Sequence, residues 1–384
     1  MSRRAVLWVA FALVHVAVAV LGFVLRNEPM GDVYRVYEPW SLRALGGRGI
    51  MGITEAWVYP QLALVPMVLA HGFAWIAGYE VGWAILITLC DALAFAMLGP
   101  IGMYRLDGLT VPLTLAGSLW LVGRPWLGAA LLAAATWIKV WPAAILLAAV
   151  IAVRRRLAVF ASAALVSAAI ILVVLAAGGS GHVFGFVMDQ TGRGLQLEAP
   201  VSTFYLWQAV AQIPGSFIYY DKELLTFQVA GPQVDSVIAV MTPLLAVAVL
   251  AVAGLGAYKA WRGASFAALF PPLGLGLVLA FILFNKVGSP QYMTWLAAPL
   301  VVGLVIDRHR WFKPATLGLV IAILTFAVYP LTYWGLLLAE PFPAALLTTR
   351  NALIAVLFVW VVVRLTRVRI HPHVHARRFG VAVP

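Results

Sequence analysis

The chain has 384 residues, of which 64% are hydrophobic and only 10% charged, and its mean hydropathy is +0.98. A soluble protein of this length cannot hide so much apolar surface, so the composition predicts a polytopic helical membrane protein. The net charge of +12 points to cytoplasmic loops facing anionic lipid rather than to nucleic acid, and a lone Cys90 excludes an intrachain disulfide.

The opening Met-Ser-Arg-Arg before an apolar run fits a signal peptide in outline. So many apolar runs follow that a retained first helix explains it better. Residues 26–60 then carry Arg26, Glu28, Asp32, Arg35, Glu38, Arg43, Arg48 and Glu55, which demand water on at least one side. Gly31, Gly46-Gly47, Gly49 and Gly52 break this stretch into turns, so it reads as a folded loop. Within it, 40–45 predicts a short amphipathic helix at the interface.

Runs long enough to cross a bilayer lie near 5–25, 60–78, 82–103, 157–177, 236–257, 265–284, 290–306, 314–337 and 347–366. Region 108–153 is harder: 108–122 is one short run, and 126–153 is interrupted at Lys139-Val-Trp-Pro142. Splitting it into 126–138 and 141–153 places Arg154-Arg155-Arg156, Lys259, Arg262, Arg308, Arg310, Lys313 and the tail arginines on the same side as Arg3 and Arg4. The expectation is an all-α transmembrane protein with about 12 spans (range roughly 10–13) and two large external loops, 26–60 and 178–235. Both termini are then cytoplasmic. Most acids, from Glu28 and Asp32 to Asp235 and Glu340, fall outside. The piece 203–218 reads as an interfacial or re-entrant helix. No linker or long-period repeat divides the chain, so 1–366 is expected to form a single domain, followed by a basic tail, 367–384.

Function must then lie at the membrane or on its outer face. Asp32, just beyond the first span, is a candidate general base for an acceptor hydroxyl, because apolar walls raise a carboxylate's basicity. A loop-capping role is the plainer alternative. Lys139 and Lys286 each precede a helix-breaking proline, and a cation at a broken helix end suits a lipid phosphate. Arg193 would add a planar, bidentate phosphate donor. Gln196 and Glu198 suit sugar hydroxyls, though Glu198 could instead pair with Arg193. Tyr34, Tyr59, Gln291 and Tyr292 stand where loops meet spans, as sugar-binding aromatics and amides do, and as ordinary interfacial tyrosines also do. Asp91 lies mid-span, neutral or paired to another helix. His182 is an exposed-loop histidine of no assigned use. His371, His373 and His375 read as part of a solvated tail more readily than as a metal tract. No Walker A motif, no Asp-x-Asp and no external His/Cys cluster occurs in the sequence, so no metal site and no cofactor are expected.

These features together resemble the GT-C glycosyltransferases. Gly31-Asp32-Val33-Tyr34, Tyr59-Pro60, Lys139-Val-Trp-Pro142, Gly192-Arg193-Gly-Leu-Gln-Leu-Glu198 and Lys286-Val-Gly-Ser-Pro-Gln-Tyr292 are similar to segments of glycosyltransferase family 87 over roughly residues 5–366. That family includes actinobacterial polyprenol-phosphate-mannose-dependent mannosyltransferases. Ala-Pro after Glu198 departs from the small polar residue expected there. The resemblance implies Asp32 as catalytic base and a polyprenyl-phosphate sugar as donor (mannose by likeness); it does not fix the acceptor, expected to be a glycolipid or cell-envelope glycan. It also implies a multi-pass plasma-membrane enzyme. The alternative from another class is a transporter or flippase of a lipid-linked sugar. The two lysine-proline breaks hint at that reading, while the large outer loops count against it.

Overall fold

The structure is a computed structural model and describes residues 3–25, 29–98, 106–188 and 193–370. It is mostly helical. In chain order the helices are α1 (Arg3–Val24), α2 (Glu38–Leu45), α3 (Leu64–Leu69), α4 (Tyr79–Leu98), α5 (Asp107–Trp120), α6 (Pro125–Ile138), α7 (Pro142–Ala152) and α8 (Arg156–Ala176). There follow α9 (Gly185–Met188), α10 (Thr203–Val210), α11 (Val234–Trp261), α12 (Phe266–Leu283), α13 (Ala297–Phe326), α14 (Tyr333–Leu337) and α15 (Pro341–Thr366). Five helical stretches among the described residues are long and apolar enough to cross a membrane: α8, α11, α12, the run 290–331 and α15.

Local chemistry explains where the helices stop. α2 ends at Gly46, whose N–H returns to the Leu42 carbonyl at 2.9 Å. α6 and α7 are separate because Pro142 has no N–H to continue a helix and pushes Trp141 out of the helical region, which suits it to the first position of α7. α13 breaks at Asp307, with φ −152° and ψ 78°. The Asp307 carboxylate then accepts from the Arg310 N–H at 3.2 Å, the capping arrangement of a fresh helix start. The run 290–331 is 42 residues, about twice the ~20 needed for one crossing.

Three differences from the sequence reading concern local structure. The run expected at 60–78 is helical only over 61–73, with 3₁₀ turns at both ends of α3. The start of the stretch read as a loop of turns is helical: Asp32 has helical dihedrals and opens a π-helical turn, Val33–Tyr37. The mostly helical fold also carries one short hairpin. Strands β1 (Phe217–Asp221) and β2 (Thr226–Ala230) pair antiparallel, with Phe217 opposite Ala230 and Asp221 opposite Thr226. The Asp221 carboxylate accepts from the Glu223 and Leu224 N–H groups (2.9 and 3.0 Å) and so builds the turn. Of the piece 203–218, only α10 is helical.

Backbone contacts divide the chain into two compact units. The first comprises 1–117, 130–142 and 162–191. Its core is Met30, Val33, Tyr37, Met51, Trp57, Met67, Tyr79, Trp83, Ile87 and Leu106. Here α2 docks on the 61–73 run through the buried Ser41, whose hydroxyl donates to the Glu38 carbonyl and lies 2.8 Å from His71 Nε2. The second unit comprises 118–129, 143–161 and 192–384. There α12 packs against α11, α13 and α15. Its apolar window is 72% buried against protein, compared with 11% for that of α11, so α12 is the central helix and α11 turns its apolar surface outward. A second core forms around Leu195, Leu197, Tyr205, Leu206, Val229, Leu336 and Leu347.

Candidate functional site

In the first unit, the π-helical turn buries Val33 and Tyr37 and leaves Asp32 and Tyr34 half-buried, with Arg35 exposed above the Tyr34 ring at 5.5 Å. A widened turn of this kind is frequent at functional sites. Tyr37 hydrogen-bonds Tyr59, and burial, followed by Tyr59 and the Asp107 carboxylate, pushes its phenol well above the ordinary value. Around it stand Trp83 (5.0 Å between ring centroids), Trp40 and Trp57, with Trp40 edge-on to Tyr59 at 6.2 Å. Trp57 Nε1 and Trp83 Nε1 are buried with no hydrogen-bond partner among the described residues.

The Lys139 ammonium, expected at a lipid phosphate, instead donates to Asp107 Oδ2 at 2.6 Å, and both residues are buried. Sequence reasoning had not joined these two. The neighbouring Trp141 indole donates to Thr110 Oγ1 at 3.0 Å, so both side chains at the α6–α7 break are tied to the first turn of α5. Asp91, whose partner the sequence left open, lies 3.4 Å from His15 Nε2, while His15 Nδ1 bonds the Phe11 carbonyl at 2.9 Å.

In the second unit the segment 193–199 is clasped between β2 and the loop after α12. Val229 N–H reaches the Leu195 carbonyl and Leu197 N–H the Phe227 carbonyl, both at 3.0 Å, so 195–197 forms a third extended edge. Gln196 fastens the other side. Its N–H donates to the Lys286 carbonyl and its Oε1 accepts from the Gly288 N–H, both at 3.0 Å. Two glycines permit this approach: a Cβ on Gly288 would lie 2.2 Å from the Ala199 nitrogen, and one on Gly194 would lie 1.9 Å from Gln228 Oε1.

Glu198, expected at a sugar hydroxyl or paired with Arg193, is buried and bonded to Arg350. Arg350 Nη1 donates to Glu198 Oε2 at 3.0 Å, while Nη2 donates to the Glu198 carbonyl and to Asn351 Oδ1, both at 2.9 Å. Asn351 continues the chain of bonds to Thr203 Oγ1 at 2.9 Å. Arg350 was missed because it sits within a long apolar run, 152 positions from its partner.

Lys286 is 5% exposed, and its ammonium is pushed below the ordinary lysine range by burial and by the neighbouring Arg193 guanidinium. Arg193 Nε is buried with no partner among the described residues, as is Gln291 Oε1. Tyr292 stacks on Trp295 with centroids 4.0 Å apart. Arg193, Lys286 and Gln196 are therefore neighbours, and Glu198 adjoins them as a structural anchor. Asp32, Tyr34, Tyr59 and Lys139 belong to the first unit. His182 is half-buried, and its backbone carbonyl receives Gln61 Nε2 at 3.0 Å; His371, His373 and His375 lie outside the described residues. Among the described residues no three His, Cys, Asp or Glu side chains are grouped to hold a metal.

Compared with known proteins, the chain matches no family model, no curated protein and no solved structure.

Asp107→Asn should destabilise the protein by about 3–5 kcal/mol, because it removes the carboxylate that pairs the buried Lys139 charge. Adding Lys139→Met to it should recover much of that loss. Thermal unfolding of the single and double variants in detergent checks both.

Proposed function

We propose that the chain is an integral-membrane inverting glycosyltransferase. It moves a sugar, mannose by likeness to family 87, from a polyprenyl-phosphate donor to a glycolipid or cell-envelope glycan on the outer face of the plasma membrane. The observation that carries this reading is a buried Lys286 whose ammonium is pushed down by burial and by the Arg193 guanidinium. Like charges near one another are costly, and the donor's phosphodiester anion, which becomes a dianion as the sugar leaves, relieves that cost. The exposed turn at Arg154, Arg155 and Arg156, between α7 and α8, supports a twelve-crossing arrangement with cytoplasmic termini.

In this mechanism Asp32 takes the proton of the acceptor hydroxyl as its oxygen attacks the anomeric carbon. The bond from that carbon to the phosphate oxygen breaks on the opposite face. Its electron pair leaves with the phosphate, whose charge grows by one unit in the process. The transition state is oxocarbenium-like, as in inverting glycosidases. Arg193 and Lys286 stabilise the growing negative charge where it appears. Lys139 is occupied by Asp107 and stiffens the wall behind Tyr37 and Tyr59. Glu198 holds the 193–199 segment through Arg350. Tyr34, Tyr59, Gln291 and Tyr292 offer rings and amides to sugar hydroxyls.

Asp32→Asn should abolish transfer from polyprenyl-phosphate mannose in detergent while donor binding persists. Full activity in that variant overturns the assignment, and sugar movement seen only in sealed vesicles would favour the flippase. A second test concerns pH. Because the folded-state value of Lys286 lies below the unfolded one, the folded chain holds fewer protons in the window between them. Stability contributed at Lys286 therefore rises with pH through that window, towards the ordinary lysine value of about 10.4. Phosphate binding has the opposite sign, because it needs the ammonium. Donor affinity should fall at a pH below the ordinary lysine range, and Lys286→Arg should remove that alkaline loss, as read by donor titrations across pH.

A further inference from the structure

The second unit has a strongly basic end that plays no part in the chemistry above. There the ends of α11 and α15 meet the break in α13. Lys259, in the last turn of α11, donates to the Thr366 carbonyl and, at 3.3 Å, to the Val368 carbonyl, both at the end of α15. Just beyond the break at Asp307, α13 carries the buried Trp311. Gly303 makes room for it, since a Cβ there would lie 2.2 Å from the indole. Trp311 meets Trp360 of α15 edge-on, with centroids 5.8 Å apart.

These two indoles hold Arg364. Its guanidinium carbon lies 5.4 Å from each ring centroid, which gives the side chain a fixed place. Arg364 is half-buried, its nitrogens reach the surface, and none has a hydrogen-bond partner among the described residues. The charges that act on it are Arg310 and Asp307. Asp307 is already engaged by Arg310, with Oδ2 3.5 Å from Arg310 Nε and Oδ1 accepting from its backbone N–H. Arg308 and Lys313 stand exposed on the same half of α13. Asp307 is the only acid within 255–270, 303–315 and 355–370, and residues 371–384 add no acidic side chain.

A planar fork of free donors, fixed in place near a second guanidinium, fits the oxygens of a phosphate ester. The setting narrows the source of that ester. α11 and α15 are long and apolar enough to cross a membrane, so the level at which they end together is that of the lipid headgroups. Trp261 and Phe312 are exposed among these cations (55% and 61%), as aromatic side chains at a membrane interface are. A soluble phosphate has no use for those rings, whereas a phospholipid lays its glycerol and upper acyl chains against them. A zwitterionic lipid also brings an ammonium into a surface already rich in cations. An anionic one brings only the charge that is missing.

We propose that this end of the second unit binds the headgroup phosphate of an anionic phospholipid, with Arg364 as the planar fork and Arg310 as the second charge. The site does not rest on the transferase reading.

The test uses the full chain purified in detergent and native mass spectrometry with dioleoylphosphatidylglycerol and dioleoylphosphatidylcholine. The anionic lipid should bind about tenfold more tightly, the worth of one charge-assisted hydrogen bond at the low end. Arg364→Lys keeps the charge but loses the fork and the stacking, and should also weaken phosphatidylglycerol by about tenfold. Arg310→Gln, at an exposed position that does not threaten folding, should weaken it roughly threefold. Arg155→Gln removes a whole charge from the exposed turn between α7 and α8 and should change nothing. Equal binding of the two lipids, or native affinity in both Arg364→Lys and Arg310→Gln, overturns the site. So does a loss in Arg155→Gln with none in Arg364→Lys, the mark of diffuse attraction. Displacement of phosphatidylglycerol by sodium phosphate overturns the lipid as the source of the anion.

Discussion

A charge taken out of water must be answered by another within a few ångströms, and this chain obeys that constraint at its structural joints. Lys139 finds Asp107 at 2.6 Å, and Arg350 finds Glu198 at 3.0 Å. Each pair costs several kcal/mol to desolvate and holds only because the geometry is tight. The first fixes the break between α6 and α7 against α5. The second pins the 193–199 segment to α15, and the bonds from Arg350 through Asn351 to Thr203 bring the start of α10 into the same network. Neither pair rests in water, so neither is a generic surface ion pair.

Lys286 is buried near a like charge as well: the Arg193 guanidinium adds to burial in holding its ammonium below the ordinary range. The backbone there is held by bonds from Gln196 to both ends of the Lys286–Gly288 turn, and the neighbouring Glu198 is anchored by Arg350.

Much of the local architecture was legible in the sequence because it is written by local rules. The apolar run lengths, Pro142 and Gly46 gave helix limits close to those observed for α1, α6, α7, α8 and α11. The charged turn after Val305 likewise announced the break at Asp307. Pairings made at long range left no such trace. Asp107 and Lys139 are 32 positions apart, and Glu198 and Arg350 are 152 apart, so no periodicity or motif connects them. The hairpin escaped for another reason. Phe-Ile-Tyr-Tyr-Asp and Thr-Phe-Gln-Val-Ala are both short and apolar enough to read as loop or interfacial helix, and only the partner strand decides between them. Of the site residues, Arg193 and Lys286 were singled out from their residue types and the proline after Lys286, whereas the anchoring work of Glu198 and Lys139 emerged only from their partners.

The glycine at 288 has a consequence for engineering this region. A methyl group there would strike the backbone at Glu198 and Ala199, whereas one at 194 would meet the end of the Gln228 side chain. The loop after α12 and the 193–199 segment therefore fit as a key fits its ward. A hybrid protein that replaces that loop must keep glycine at 288 to seat it on residues some ninety positions earlier.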